Sequence, residues 1–527
     1  MNAPMQLVSN FGALRDDHFH MGLDLRTGGK ENLPVYAAAG GYISRIKIEK
    51  YGFGNAIYIS HPNGYTTLYA HLNTFYGALA AYIKKKQYED ESWAQDVELP
   101  AGLFSVAKGQ LIGLSGNTGG SAGPHLHFEI RDSKTGANIN PEFFGFAITD
   151  KIAPAIKGLY WYDRRYSTYA VAANAVALKR KNVTVIVNSP SISFGIDADD
   201  MNNGSSFHLG IYSAVLYMDD SLLYESEINR INYDDTRYIN ACIDYSKRAR
   251  DKKFVQHLSV LPGNQLDIFS DAESDGVIML NDTLPHKIRI ETEDIYNNRS
   301  ALNFSVKYSG SNAHVVVPPY RQLLIPQQEN VLQSEHIQLK FPATAFYDTV
   351  PFRFNEFVSK ADNAASGIYV LHNAEVPVHD AYSATVQTTL DAQNELRNHV
   401  IMKLQSGSST KIIKGAWSGN SMTGECKKLG TLQLVIDTVP PVIAAAGFAN
   451  NAVITAKKLA IKCTDDLKEI ASFRAELDGQ WLLFVASKND LYTYTFDEHC
   501  SKGKHTLKII ATDIAGNIAE QNFNFTR

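Results

Sequence analysis

The 527-residue chain has few cysteines, no excess of positive charge and no long apolar run. Its four cysteines are too few for a disulfide framework, and the absence of C-x-x-C spacing excludes the usual cysteine-based metal and redox sites. With 50 basic and 55 acidic side chains, the chain lacks the basic footprint that nucleic acid or an anionic membrane requires. No stretch reaches the roughly 20 apolar residues of a spanning helix. Any metal is therefore expected on other side chains.

Composition and length predict a folded protein of three or four domains. Hydrophobic residues make up 44% and charged residues 20% of the chain, which is ordinary globular composition. Single domains usually run to about 100–200 residues. Met1 is followed by Asn-Ala-Pro and by no basic and apolar signal segment, so the chain is either cytoplasmic or the mature part of an exported protein.

The first part of the chain, up to about residue 148, is predicted to be a β-sheet unit with one inserted helix. Short apolar runs such as Ala56–Ser60 alternate with glycine-rich turns. In the insertion at about 76–104, Leu79, Tyr82 and Ile83 have i, i+3, i+4 spacing, which predicts a helix.

A repeated pattern marks the β-rich remainder. The stretches 286–298 and 505–517 match at both ends and predict the same hairpin in two domains. Their domains also open alike, with D-x-[IV]-x-P-x-I at 150–156 and 437–443, where proline stiffens the entry to a strand. The form "DTVPPVI … ATDIAGN" resembles bacterial immunoglobulin-like modules of cell-surface proteins. Boundaries near 150 and 437 follow.

Three motifs carry residues suited to metal-assisted hydrolysis. His20 and Asp24 are four apart, His71 ends a Leu-Tyr-Ala-His segment, and a Pro-His-Leu-His-Phe-Glu strand puts His125 and His127 on one face. Hydrolytic zinc takes three His, Asp or Glu ligands and an open position. The first pair and one histidine of the strand would supply them, leaving the other histidine and His71 for proton transfer or oxyanion stabilisation.

The order and spacing of these motifs resemble the lysostaphin/LytM-type zinc metalloendopeptidases of bacterial cell walls, over residues 10–144. The resemblance implies three zinc ligands and two catalytic histidines, all present here. The ligands are His20, Asp24 and His127, and the catalytic pair is His71 and His125. It also implies a compact antiparallel β sheet with the metal in a groove floored by strands.

The predicted fold class is therefore mainly β: an antiparallel LytM-like peptidase domain with a short helical insertion, followed by two or three immunoglobulin-like β-sandwich domains. The predicted domains are 1–148 (peptidase), 149–310 (immunoglobulin-like with an insertion), 311–436 (β-rich, of unknown type) and 437–527 (immunoglobulin-like).

The resemblance implies a zinc endopeptidase that cuts peptide cross-links of peptidoglycan in the periplasm or cell envelope. The export inference rests on the location of that substrate. The alternative is a non-catalytic envelope scaffold, or an activator of other wall hydrolases, that binds envelope proteins through its β domains. Metal content separates these hypotheses, because a scaffold tolerates loss of zinc.

Other residues near the motifs allow two interpretations each. Glu129 is expected either to orient a ligand imidazole or to lie exposed on its strand. Arg15 is expected to be solvated rather than to meet a substrate carboxylate, and His18 and His61 are expected to be surface or hydrogen-bonding histidines rather than ligands.

Two expectations concern the periphery. The 76–104 insertion is expected to pack on the rim of the groove as a wall or lid, with cover of a sheet edge as the alternative. Cys463 and Cys500 are expected either to form a disulfide in an exported protein or to remain buried thiols.

Overall fold

Strands dominate the computed structural model, which describes residues 5–178, 183–270 and 274–527. This confirms the predicted mainly β class. Within those residues, no helix combines the length and apolar composition that crossing a membrane requires.

The N-terminal unit is built on one large antiparallel sheet in the order β1-β2-β11-β6-β5-β4-β8, with a small sheet β3-β10-β7 beside it. Its elements are β1 (Leu7–Ser9), β2 (Leu23–Arg26), β3 (Pro34–Tyr36), β4 (Gly41–Ile48), β5 (Asn55–Ser60), β6 (Tyr65–Ala70), β7 (Leu72–Phe75), α1 (Gly77–Glu89), β8 (Gln95–Glu98), β9 (Ser105–Val106), β10 (Leu111–Ser115), β11 (His125–Asp132), β12 (Asn138–Ile139) and a 3-10 turn, Pro141–Phe144.

Strand β11 carries apolar side chains on one face and polar side chains on the other. Leu126, Phe128 and Ile130 are buried in the core of this unit, and burying each such side chain contributes about 1.5–3 kcal/mol. That burial fixes the register, and the period of two turns the residues between them to the opposite face. His127 and Glu129 therefore point towards the groove.

The insertion lies at the sheet edge, so its prediction as a groove wall or lid is wrong. Helix α1 buries Leu79 and Ile83 in the core of the unit, and β8 then pairs antiparallel with the outer strand β4. The outer face of the helix contacts the end of the chain, where Tyr88 stacks on His499 at 3.7 Å between ring centroids. The position of the insertion agrees with the alternative interpretation, in which it covers an edge of the sheet.

The next segment forms two five-stranded sheets around one core. Its elements are β13 (Ala155–Asp163), β14 (Asn174–Val176), β15 (Thr184–Val187), β16 (Ser191–Asp199), β17 (Ser213–Met218), β18 (Ser221–Glu227), β19 (Arg230–Ile231), a 3-10 turn (Tyr233–Tyr238), α2 (Ile239–Cys242), α3 (Tyr245–Asp251), β20 (Gln256–His257), β21 (Ile278–Met279), β22 (His286–Glu293) and β23 (Arg299–Tyr308). Strand β19 pairs with β12, so this segment extends the N-terminal sheet.

The third segment has two five-stranded sheets and a two-stranded one. Its elements are β24 (Gln322–Leu324), β25 (Asn330–Gln333), β26 (Ile337–Phe341), β27 (Val350–Phe352), β28 (Phe354–Phe357), β29 (Ile368–Leu371), β30 (Pro377–Gln387), a 3-10 turn (Glu395–His399), β31 (Val400–Ser406), β32 (Ser409–Ile413), β33 (Ala416–Ser418), β34 (Ser421–Lys428) and β35 (Gly430–Ile436). Its core includes Phe341, Phe352 and Tyr382.

The last segment packs a four-stranded sheet against a five-stranded one. Its strands are β36 (Val442–Ala445), β37 (Ala452–Val453), β38 (Lys458–Thr464), β39 (Ile470–Leu477), β40 (Gln480–Trp481), β41 (Val485–Ala486), β42 (Leu491–Thr495), β43 (Lys504–Asp513) and β44 (Ile518–Thr526). Cys463 and Cys500 are free thiols buried in this core, so the disulfide alternative is wrong.

The two repeated stretches form the same hairpin, β22–β23 and β43–β44, as predicted. At each tip an aspartate caps the turn: Asp294 accepts the backbone N–H of Asn298, and Asp513 accepts that of Asn517, both at 2.9 Å. The side-chain amide of the same asparagine donates to the second carboxylate oxygen of that aspartate. This pair of hydrogen bonds explains why the D-I-x-x-N spacing recurs.

Candidate metal centre and groove

The strand register brings His20, Asp24 and His127 together. Strand β11 lies between β2 and β6, and His127 is directly opposite Asp24 in the antiparallel pair with β2. His20 Nε2 lies 3.0 Å from Asp24 Oδ1 and 3.0 Å from His127 Nδ1, and the last two atoms are 2.9 Å apart. The three side chains are buried and form one triangle of donor atoms.

Hydrogen bonds outside the triangle fix which ring nitrogen faces inward. His20 Nδ1 donates to the carbonyl of Asn10 at 2.7 Å, and His127 Nε2 donates to Glu129 Oε1 at 3.0 Å. Both partners can only accept, so these nitrogens carry the protons of the neutral rings. Two imidazole lone pairs and a carboxylate oxygen then face one point, which is the arrangement that holds a metal.

The electrostatics of the triangle also fit a cation. Burial opposes ionisation of Asp24, yet the surrounding imidazoles hold the pKa of its carboxyl well below the usual value. Burial acts to lower the pKa of His127, but its bonds to Asp24 and Glu129 raise it to about 9. A proton is thus held strongly where three donor atoms meet. A divalent ion would replace that proton, and a His/Asp/His set suits zinc.

Glu129 is buried beside His127, as expected if it orients a ligand imidazole, and is not exposed on its strand. Its side chain is 0% exposed, and it accepts from His127 and from Arg131 Nε at 2.7 Å. Backbone packing beneath the ligands is equally tight, since a Cβ on Gly22 would meet the carbonyl of Phe128. The second layer therefore holds the His127 ring in one orientation.

His71 and His125 lie beside the triangle with one nitrogen each committed to the backbone. His71 Nδ1 donates to the carbonyl of Thr118 and His125 Nδ1 to that of Gly123, both at 2.8 Å. Their ring centroids are 4.7 Å apart, and the free His125 Nε2 lies 3.3 Å from Asp24 Oδ1. Burial lowers the pKa of His71 to about 3, so this ring is neutral near pH 7.

The backbone at His71 is unusual and explains how its ring reaches the groove. His71 follows the last residue of β6 and has φ +58, in the left-handed region that few non-glycine residues adopt. This turn separates β6 from β7, and the backbone N–H of His71 donates to the carbonyl of Phe53. Strain of this kind persists only where surrounding contacts hold it.

All five predicted site residues line one groove of about 960 Å³. None of the described residues of the 76–104 insertion lines it. Its far wall comes from the following segment, which contributes Phe207, Tyr233 and Thr236. Tyr233 contacts Phe53 and stacks under Arg131. No motif in the sequence indicated these wall residues, because they are remote from the histidines in the chain.

Three further side chains, Arg15, His18 and His61, are not among the predicted metal ligands. Arg15 is partly solvated, as predicted, with 40% of its side chain exposed, but its Nη2 also lies 3.1 Å from Asp24 Oδ2, an ion pair that the sequence did not indicate. His18 is paired with Asp17, and the buried His61 bonds Gly40 and Thr67. Neither histidine belongs to the triangle, in agreement with their predicted hydrogen-bonding roles.

Comparison with known proteins finds a family match for the N-terminal region, which contains the histidine cluster. A family model described as Peptidase family M23 matches residues 18–88 and 103–141. The N-terminal region is an M23 peptidase domain. The gap in the match, 89–102, falls inside the predicted insertion. A second family model, the Zu5-like domain, matches residues 321–437, the β-rich segment that the sequence left unassigned.

Curated relatives match the same N-terminal region of the chain. The DD-carboxypeptidase/endopeptidase Mpg of Neisseria meningitidis is 38% identical over 122 residues, covering 23% of this chain and 22% of that protein. The peptidoglycan DD-endopeptidase ShyA of Vibrio cholerae is 36% identical over 97 residues, covering 18% of this chain and 17% of the relative. The chain thus spans about a fifth of the length of these curated relatives.

Among solved structures, the catalytic domain of lysostaphin from Staphylococcus simulans matches with a TM-score of 0.19 and 26% identity, covering 26% of this chain and 87% of that chain. A zinc-containing peptidase from Vibrio cholerae matches with a TM-score of 0.17 and 29% identity, covering 24% of this chain and 33% of that chain.

Proposed function

We propose that the chain is a zinc-dependent endopeptidase that hydrolyses peptide cross-links of peptidoglycan. The observation that carries this proposal is the meeting of His20, Asp24 and His127 at one point, with His71 and His125 beside them in an open groove. Three protein ligands with space for water are typical of catalytic zinc, whereas structural zinc sites are closed by a fourth protein ligand.

Zinc at this point would polarise the scissile carbonyl and lower the pKa of bound water towards about 7. His71 is neutral and commits only its Nδ1 to Thr118, so its Nε2 is free to accept a proton from the attacking water. His125 is held in the same way by Gly123 and can donate a hydrogen bond to the oxyanion once protonated.

The groove suits an extended peptide. It is lined by the apolar rings of Phe53, Phe207 and Tyr233 beside the polar histidine cluster. ShyA is named as a peptidoglycan DD-endopeptidase and Mpg as a DD-carboxypeptidase/endopeptidase, and these names support a peptidoglycan substrate here. Because that substrate lies outside the cytoplasm, we propose a periplasmic or secreted location.

Zinc content and hydrolysis of sacculi together test the proposal. His127→Ala removes a ligand and should abolish both zinc binding and turnover. His125→Ala leaves the triangle intact and should retain near-stoichiometric zinc while turnover falls by about 10²–10⁴-fold. His336→Ala, an exposed histidine of the third segment, is the matched control and should behave as wild type. Undiminished hydrolysis of sacculi by zinc-loaded His125→Ala would contradict the assignment.

A further inference from the structure

A second cluster of oxygen donors lies at the junction between the peptidase domain and the segment that follows it. Carboxylate oxygens of Asp150, Asp200 and Asp294 all lie within 4.8 Å of one another. Glu142, from the 3-10 turn that ends the N-terminal unit, and Asn202 border the same small cavity as Asp200 and Asp294. The cluster is separate from the histidine groove, whose lining shares none of these residues.

Several of these oxygens are buried without a protein partner. Asp200 and Asn202 are 4% and 5% exposed, and neither Asp200 Oδ1 nor Asn202 Oδ1 has a hydrogen-bond partner among the described residues. Glu142 Oε2 is unpartnered in the same way, while its Oε1 accepts from Tyr296. Buried polar atoms are nearly always satisfied, so three such oxygens at one cavity point to a missing electropositive partner.

The charge at the junction is uncompensated. Within the described parts of the chain, no lysine, arginine or histidine forms an ion pair with Glu142, Asp150, Asp200 or Asp294. Burying like charges together is costly unless a cation is shared between them.

The geometry points to a Ca²⁺ site at this junction, formed by Glu142, Asp150, Asp200, Asn202 and Asp294. All donors are oxygens, which excludes a site built for zinc or copper and suits a hard cation. Oxygens bound to Ca²⁺ at about 2.3–2.6 Å lie up to about 5 Å apart across the ion, and the oxygens of Asp150, Asp200 and Asp294 are close enough to share one. The cavity of about 10 Å³ admits one water-sized particle.

Calcium fits this donor set better than magnesium. Carboxylates from two domains and one amide carbonyl give an irregular arrangement, whereas Mg²⁺ requires near-octahedral geometry and retains several waters. The acidic positions also follow the sequence repeat, since Asp150 and Asp294 correspond to Asp437 and Asp513 in the last segment.

The proposed ion would be coupled to the peptidase groove through Asn10. The Asn10 side chain lines the calcium cavity and exchanges two hydrogen bonds with the backbone of Gly210. Its carbonyl accepts the proton of His20 Nδ1. An ion that fixes the junction would therefore also fix the position of His20, one of the proposed zinc ligands.

Calcium titration of the full chain, zinc-loaded and free of chelator, tests the site. We expect the Tm to rise by about 5 °C when free Ca²⁺ reaches about 100 times its Kd. Asp200→Asn should lose this rise and should unfold no earlier than wild type without calcium, because it removes a repelling charge. Asp220→Asn, an exposed aspartate in the turn between β17 and β18, is the control and should keep the full rise.

Calorimetry with Ca²⁺ alone and Mg²⁺ alone completes the test. Wild type should bind one more Ca²⁺ than Asp200→Asn, and Mg²⁺ should bind at least tenfold more weakly at that site. If Asp200→Asn does not fold, Glu142→Gln makes the same comparison from the peptidase side. A wild-type Tm that is unchanged at about 10 mM Ca²⁺, or equal calcium binding by wild type and Asp200→Asn, would overturn the proposal. Neither result depends on peptidase activity, so the two proposals fail separately.

Discussion

Replacing Glu129 by glutamine tests whether the layer behind the proposed zinc ligands controls metal affinity. The Glu129 side chain is fully buried and joins His127 to Arg131, whose side chain is only 16% exposed. In Glu129→Gln the amide oxygen can still accept from His127, but the NH₂ group then faces the Arg131 guanidinium. A donor is placed against a donor, and a buried cation loses its counter-charge.

Two effects of known size follow from that change. Loss of a carboxylate behind a ligand imidazole lowers metal affinity by about 10–100-fold, or about 1.4–2.8 kcal/mol. Breaking a buried ion pair lowers the free energy of unfolding by about 3 kcal/mol. Zinc Kd by competition with a chromogenic chelator measures the first effect, and denaturant unfolding measures the second.

A control separates the specific effect from a general loss of stability. Glu98→Gln makes the same chemical change on an exposed residue of the same sheet, in β8, and should alter neither quantity. A zinc Kd for Glu129→Gln within about threefold of wild type, in a variant that folds, would refute the reasoning.

Three further predictions concern contacts outside the triangle. Lys488→Ala removes a cation that donates to the carbonyl of Ser121 beside the groove, and we expect KM for short peptides to rise by about three- to tenfold; an unchanged KM would contradict this. Tyr88→Ala should lower the free energy of unfolding by about 2–3 kcal/mol without changing kcat/KM, since the helix lies outside the groove. His372 has a pKa lowered to about 4 by burial, and its Nδ1 accepts from the backbone of Arg353. The unfolded state then binds more protons than the folded state between about pH 6.5 and 4, so His372 alone should account for a loss of up to about 3 kcal/mol as pH falls across that window. His372→Asn should lose that much less stability than wild type, and equal losses in the two proteins would contradict this.

The face of β11 on which His127 lies could be predicted because its signal is local. Alternation along β11 follows from the pleat, and burial of Leu126 and Phe128 decides which face His127 takes. The turn at the tip of the repeated hairpin could be predicted for the same reason, because Asp294 accepts hydrogen bonds from residues of its own turn. In such cases spacing along the chain and distance in space are nearly the same.

The groove wall and the place of the insertion could not be predicted because they depend on contacts between distant segments. The spacing of Leu79 and Ile83 predicts a helix. The spacing does not show that the other face of this helix packs near His499. Tyr233 has no motif, and only the pairing of β19 with β12 brings it to the groove. Arg15 illustrates the same limit, because its partner Asp24 is reached only through the turn that precedes β2.

The central claim is that the histidine cluster cuts peptide cross-links, and mass spectrometry of purified cross-linked muropeptide dimers tests it most directly. Zinc-loaded wild type should convert dimers to monomers through a single peptide-bond cleavage, and zinc-loaded His125→Ala should leave the dimers intact. Dimers that persist with wild-type protein carrying stoichiometric zinc would contradict the account.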